Sequence, residues 1–187
     1  MNLPSIIQVF LFASGTILLI TVSRKSFRSF KVHGFYRFFV FEFTLILVLL
    51  NIPHWFSKSF SPRQILSWFL LLISLYLIIR SISLLKKTGG SNKRENATAN
   101  FEFENTDKLV KDGVYKYIRH PMYSSLLFLC LGALLKNISV LTILLTVFIM
   151  LFLIVTAKVE ERENINYFGK SYSEYIKETG MFVPFIF

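Results

Sequence analysis

Charge is scarce in this sequence. Of 187 residues, 17% are Asp, Glu, Lys or Arg, where a soluble globular domain carries about 25%. A single cysteine, Cys130, excludes a disulfide scaffold. The three histidines, His33, His54 and His120, are too scattered to give a metal-ligand spacing. A nucleophile elbow, a Ser/His/Asp grouping, a zinc-finger spacing, a glycine-rich phosphate loop and an internal repeat are all missing. What fills the space is apolar. Hydrophobic residues make up 53% of the chain, 21 residues are Phe, and the mean hydropathy is +0.55. Such a chain is neither disordered nor a multi-domain enzyme; it reads as one membrane-embedded domain over 1–187.

Apolar runs fall at 3–22, 38–52, 65–85, 122–135 and 138–157. A helix crossing the hydrocarbon core needs about 20 mostly apolar residues. The first, third and fifth runs suffice, the second carries Glu42, and the fourth is short. The first run is not a secretory signal, because its basic cluster follows it. The expectation is an all-α integral membrane protein with five transmembrane helices and a C-terminal cytoplasmic helical extension. Residues 1–85 form three N-terminal helices, 86–120 a cytoplasmic loop, and 121–187 a helical hairpin and tail. With the N-terminus outside, every basic residue except Lys58, Arg63 and Lys136 falls on the cytoplasmic side, as the positive-inside rule requires. Membrane topology thus accounts for the net charge of +10. Membrane lipids are the expected partners, nucleic acid and metal are not. An intramembrane Glu42 calls for a partner, and Arg80 is one candidate. The polar stretch 88–100 reads as a flexible connector, and the Asn96-Ala97-Thr98 sequon within it is discounted as cytoplasmic.

The stretch 109–123, LVKDGVYKYIRHPMY, is the informative one. Asp112-Gly113 marks a turn, and 114–118 alternate as an extended segment would. Pro121 disfavours helix at His120 and suits a first helical position. The fourth helix therefore starts at Pro121, about 22 Å long, with the N–H groups of Met122, Tyr123 and Ser124 at its tip as an anion site. Only Lys136-Asn137 separates runs four and five, so they form a hairpin whose cytoplasmic ends lie together. Run five continues as KVEERENINYFG, with Gly169 as a C-terminal cap. Ser171-x-x-Glu174 reads as a capping box for a last short helix. In an ideal hairpin Glu160 projects about 12 Å beyond Pro121, a distance four extended residues cover. Tyr117 and Arg119 then face Glu160 and Glu161 across a crevice.

Singly, each piece has a plain explanation: a boundary charge, a helix start, a solvated helix end, an interfacial aromatic belt. Together, GVYKYIRHPMY, a short hairpin, EERE, FGKSYSEY and FVP resemble one family. It is that of the integral-membrane methyltransferases, including isoprenylcysteine carboxyl methyltransferase and the phospholipid N-methyltransferases. The resemblance covers 109–184. It implies S-adenosylmethionine as cofactor, held at the cytoplasmic face, and a lipophilic substrate arriving from the bilayer. Arg119, His120 and Tyr123 then belong to the Arg-His-Pro-x-Tyr cofactor motif, Glu160 and Glu161 to the paired-glutamate motif. Tyr117, Tyr172 and Tyr175 hold recurrent aromatic positions. The implied cofactor-binding set is Tyr117, Arg119, His120, Tyr123, Glu160 and Glu161, with Arg119 and Glu160 as catalytic candidates. Either glutamate takes the cofactor's ammonium, so Glu161→Gln is expected to weaken cofactor binding without unfolding. Ser125 stands where the family often has Gly, narrowing the cofactor's berth. Gly180 and Met181 stand where it often has arginine, which leaves orientation of a substrate carboxylate without its usual residue. Carboxyl methylation of an isoprenylcysteine-like substrate is the reading closest by motif spacing. Phospholipid N-methylation and an NADPH-dependent sterol-type reductase are the alternatives.

Overall fold

The computed structural model describes residues 3–57, 59–90 and 100–184, the side chains of 3–5 excepted. Lys58, Lys93, Arg94, the sequon and most of the connector lie outside the described residues. The chain folds into helices α1 (Leu3–Ser23), α2 (His33–Asn51), α3 (Pro62–Thr88), α4 (Pro121–Leu134), α5 (Val140–Phe168) and α6 (Lys170–Glu178). Short 3-10 turns sit at Ser26–Arg28, Ile52–His54, Glu102–Glu104 and Gly113–Lys116. By length and composition four segments can cross a membrane: Ile6–Ser23, His33–His54, Pro62–Thr88 and Val140–Phe168. They correspond to the first, second, third and fifth apolar runs. The fourth run gives an apolar helix of 14 residues, about 21 Å of rise against a hydrocarbon core of about 30 Å.

Local chemistry sets the helix ends. Ser61 caps α3, its hydroxyl accepting from Gln64 N, and Pro62 occupies the first turn. Ser139 and Thr142 cap α5 reciprocally. The expected two-residue hairpin is longer: residues 135–139 join α4 to α5, because Lys136 is buried rather than placed in a solvated turn. Its ammonium lies 3.7 Å from the Trp68 ring centroid and 5.1 Å from that of Trp55, and donates to Gln64 Oε1 at 3.0 Å. Two indole faces and an amide oxygen thus replace the water this cation loses. At the other end, α6 begins at Lys170, with Gly169 (φ +62°) as its N-cap. Ser171 is already helical. One glycine in a conformation that side-chain-bearing residues avoid ends α5 and starts α6.

The core lies between α2, α4 and α5: Val40, Leu47, Tyr123, Cys130, Ala133, Leu145, Ile149, Leu153, Ala157 and, from the tail, Met181. α3 closes on α4 through small residues, as membrane helices do. Ser67 Oγ donates to the Gly132 carbonyl and Ser74 Oγ to that of Ser125, each at 2.7 Å. α1 leans on α2, where Thr16 Oγ1 donates to Glu42 Oε1 at 2.6 Å. Thr16, not Arg80, is the partner the structure gives Glu42.

Candidate active site

The buried face of α5 leads directly into the site. Leu145, Ile149, Leu153 and Ala157 follow one another in steps of four, and the next step lands on Glu161. Glu160 follows Thr156 in the same way, and Asn164 closes the stripe. The glutamates therefore continue the face that packs the core rather than ending a solvated helix.

Two stretches about forty positions apart meet here, as expected. Arg119 Nε donates to Glu161 Oε1 at 2.5 Å, and Tyr123 OH donates to Glu160 Oε2 at 2.5 Å. The backbone offset expected between Pro121 and Glu160 is bridged by side chains. Side chains lean toward the N-terminus of their own helix. Tyr123, at the N-terminus of α4, leans out of the bundle while Glu160 leans back into it. His120 stacks on Tyr123 with ring centroids 5.5 Å apart. Its Nδ1 is 3.9 Å from Glu160 Oε2 and its Nε2 3.5 Å from Glu161 Oε1. The buried Nε2 makes no hydrogen bond to the described protein.

The tail completes this frame with backbone, not with a cation. Arg119 N donates to Gly180 O at 2.9 Å, His120 N to Met181 O at 3.2 Å, and Gly180 N to Tyr117 O at 3.0 Å. Ser124 Oγ donates to Phe182 O at 2.7 Å, and Arg119 Nη1 to the Thr179 carbonyl. Where the family pattern suggests an arginine side chain, this chain lays a strand-like segment along the Arg-His-Pro motif. α6 is pinned beside it by Tyr175 OH, which donates to the Tyr115 carbonyl at 2.5 Å. Burial pushes the phenols of Tyr115, Tyr172 and Tyr175 well above the ordinary tyrosine range, so each stays a neutral donor.

A cavity of about 80 Å³ lies against this frame. Its walls include Arg119, His120, Pro121, Met122, Tyr123 and Glu160, with Tyr115, Phe168, Tyr172 and Tyr175 from the aromatic side and Glu104, Thr106 and Lys108 from the α3–α4 connection. Of the six residues assigned to the cofactor from the sequence, Arg119, His120, Tyr123 and Glu160 line the cavity. Glu161 and Tyr117 do not. Glu161 is 5% exposed and is held by Arg119 and by Lys158, whose Nζ is 3.2 Å from Oε2. Tyr117 is 49% exposed. The expected extended segment is a 3-10 turn over Gly113–Lys116, started at Gly113 (φ +57°). With about three residues per turn, Tyr115 and Tyr117 no longer share a face, and Tyr115 takes the inward position. Ser125 also lies outside the cavity, its hydroxyl bonded to the Met122 carbonyl at 2.6 Å, so it narrows nothing there. At the tip of α4, Ser124 N goes to the His120 carbonyl, and Pro121 has no N–H. Met122 and Tyr123 supply the remaining N–H groups of the first turn.

Further residues enter from outside the Arg-His-Pro-x-Tyr and paired-glutamate motifs. Arg37 of α2 is buried, donates to Glu104 Oε2 at 2.7 Å and lies 4.0 Å from the centroid of Phe101. Glu104 is itself a cavity wall. His33 opens α2, and both its backbone N–H and its ring are bound by Glu163, at 2.9 and 2.6 Å. A carboxylate at a helix N-terminus is favoured by the unpaired N–H groups there, and this one ties α2 to α5.

The family model described as phospholipid methyltransferase matches residues 62–171, more than half of the chain, and the chain belongs to that family. Over 84 residues it is 33% identical to a protein-S-isoprenylcysteine O-methyltransferase of Saccharomyces cerevisiae, covering 44% of this chain and 35% of that one. Over 79 residues it is 36% identical to a protein of the same name from Schizosaccharomyces pombe, covering 42% and 34%. The matches therefore span about a third of the length of either relative. No solved structure matches the chain.

Proposed function

We propose that this chain methylates a lipophilic acceptor at the membrane surface with S-adenosylmethionine, and that the acceptor is the carboxylate of an isoprenylcysteine-like molecule. The observation that carries the reading is the meeting of the Arg-His-Pro-x-Tyr stretch with Glu160 at one cavity. The residues fit a zwitterionic, cationic nucleoside. The cavity wall holds acids (Glu160, Glu104), bases (Arg119, His120, Lys108) and four aromatic rings beyond Tyr123, and among the described residues the buried His120 Nε2 has no hydrogen bond shorter than its 3.5 Å approach to Glu161 Oε1. The first turn of α4, with His120, suits the cofactor's carboxylate. Glu160, already bonded to Tyr123, suits its ammonium, and the aromatic faces suit its sulfonium. When bound, the cofactor supplies an electrophilic methyl group.

The protein's own part is placement. Arg119 holds α5, the tail and the loop before α4 together through Glu161, Thr179 and Gly180. Tyr123 fixes the Glu160 carboxylate. A carboxylate acceptor arrives already anionic, so no side chain needs to remove a proton, and orientation with exclusion of water does the work. Buried neutral phenols on the aromatic side keep that wall free of competing negative charge.

The same reading completes the topology. α4, paired with α5, serves as a short fifth span. The N-terminus lies outside, and the cofactor site and the C-terminal helical extension lie on the cytoplasmic side, where the basic residues concentrate.

A phospholipid amine is the second reading, supported by the description of the matching family. The test is binding of S-adenosylhomocysteine to the purified chain in detergent, followed by transfer of labelled methyl to farnesylcysteine or phosphatidylethanolamine. Saturable binding with label on farnesylcysteine supports the proposal, and label on the amine alone selects the second reading. Binding of NADPH in place of S-adenosylhomocysteine overturns both.

A further inference from the structure

The turn between α1 and α2 has no part in the cavity, yet it gathers four cations and no acid within nine residues. The first acidic residue of the sequence is Glu42. Before it stand Arg24, Lys25, Arg28, Lys31 and Arg37. Arg37 is buried and paired with Glu104. Arg24, Lys25, Arg28 and Lys31 are exposed, and among the described residues no carboxylate pairs with them. Elsewhere the buried cations are matched: Arg119 by Glu161, His33 by Glu163, Lys136 by an amide and two indoles.

The turn is also shaped. Arg24, Lys25, Arg28, Ser29 and Val32 line a hollow of about 550 Å³. A 3-10 turn over Ser26–Arg28, with Arg28 N donating to Lys25 O at 3.5 Å and Ser29 N to Ser26 O at 3.3 Å, fixes the cations relative to one another. Ser26 is buried beneath them. Phe27 packs edge-on against Phe38 at 4.9 Å and Phe30 against Phe35 at 4.6 Å, which braces the turn on α2. Phe27 and Phe30 still expose 37% and 70% of their surface. The membrane-crossing part of α1 ends at Ser23 and that of α2 begins at His33, so the hollow sits at headgroup level with aromatic rings beside it. The His33–Glu163 pair fixes this level as the end of the bundle that carries the cavity.

We propose that this hollow is a binding site for the phosphate of an anionic phospholipid, in the leaflet on the side of the candidate active site. Guanidinium and ammonium groups recognise the phosphate, and Phe27 and Phe30 rest among the upper parts of the acyl chains. Three cations and a serine around one hollow, flanked by exposed rings, suit a lipid headgroup better than a free anion, which has no use for the rings. The site lies outside the cavity, so its occupancy is independent of methyl transfer.

The experiment is reconstitution of the full chain into phosphatidylcholine vesicles containing a minor fraction of phosphatidylglycerol. Gentle detergent extraction and measurement of the lipid that stays bound follow, by extraction analysis or native mass spectrometry. The native chain is expected to retain phosphatidylglycerol in excess over its bulk share. The triple variant Arg24→Gln, Lys25→Gln, Arg28→Gln loses that excess, about fivefold in affinity per cation removed. Its substitutions are all at exposed positions, and an unchanged melting temperature confirms that it is folded. The double variant Lys86→Gln, Lys87→Gln, which removes cations at the end of α3 outside the hollow, keeps the excess. Retention by the triple variant, or equal loss in the double variant, overturns the proposal. So does full displacement of the bound lipid by inorganic phosphate, which marks a free-anion site.

Discussion

The paired glutamates offer a sharp division of labour. Glu161 is buried against Arg119 and walled off from the cavity, whereas Glu160 lines it. In Glu161→Gln, the Arg119 guanidinium stays buried at a side-chain exposure of 4% without its counter-charge. Breaking a buried pair from one side costs about 3–5 kcal/mol. At about 2–4 °C per kcal/mol for a chain of this size, the melting temperature drops by roughly 10 °C. Glu160→Gln keeps an oxygen that can accept from Tyr123 OH, so only the charge assistance of that bond is lost, about 1 kcal/mol, and the melting temperature falls by only about 3 °C. Its cost appears in ligand binding instead. A charge-assisted hydrogen bond to an ammonium contributes about 1.5–3 kcal/mol, or a loss of at least about tenfold in affinity. The assay is thermal unfolding of both variants in one detergent, with calorimetric titration of S-adenosylhomocysteine below the lower transition. Loss of affinity in Glu161→Gln at an unchanged melting temperature, with Glu160→Gln binding normally, refutes this division and restores the expectation drawn from sequence for Glu161.

Arg37→Met is expected to lower stability by about 3–5 kcal/mol, because Glu104 is left beside the cavity without its cation; Glu104→Gln, which takes the counter-charge from the more deeply buried Arg37, is expected to cost as much, and thermal unfolding of the two variants checks it. In Gly132→Ala the new methyl group stands 2.9 Å from Leu71 Cγ and 3.2 Å from the Ser67 carbonyl oxygen, so overpacking of α3 on α4 costs about 1–3 kcal/mol. A variant as stable as the native chain in a denaturant titration counts against that close approach. Tyr175→Phe deletes the donor to the Tyr115 carbonyl at about 1 kcal/mol. The Tyr175 phenol is raised by burial, so its contribution is complete below the ordinary tyrosine pKa and is lost as the pH rises above it, where only the unfolded chain ionises. The alkaline fall in melting temperature is therefore shallower in Tyr175→Phe than in the native chain, and identical slopes argue against a buried neutral phenol.

What could be read from residue order was whatever hydropathy and turn chemistry control locally. The long runs became α1, α2, α3 and α5, Pro121 opened α4, and Gly169 separated α5 from α6. The meeting of Arg119 with Glu161 was also legible, because a tight hairpin leaves its two ends little choice. The facing of Tyr117 was not. Alternation over five residues points to a strand, whereas the positive φ of Gly113 and the tertiary bond from Tyr175 to the Tyr115 carbonyl go with a 3-10 turn. The tail was unreadable for a different reason. It contributes carbonyl groups, which every sequence has, and only the fold places those of Thr179, Gly180, Met181 and Phe182 along the motif.

The contribution of α2 was hidden by an ambiguity of charge. Arg37 satisfied the positive-inside rule, and that sufficient explanation concealed a second role. Yet a signal was present. His33, Arg37, Val40, Thr44, Leu47 and Asn51 follow one another at alternating steps of four and three, and all six are buried. A polar residue that keeps the period of the apolar stripe is placed by packing, not by the membrane boundary. On that criterion Arg24, Lys25, Arg28 and Lys31, which precede the stripe, remain surface charges, while His33 and Arg37 belong to the interior. The same rule assigns Glu161 and Asn164 to the inner face of α5 by their distance from Ala157. Two polar-bearing stripes, one on α2 and one on α5, thus converge at the end of the bundle where α4 starts. Charges pair where they meet, His33 of α2 with Glu163 of α5, and Arg119 from the loop before α4 with Glu161. Glu160 is left turned toward the cavity, where Tyr123 holds it.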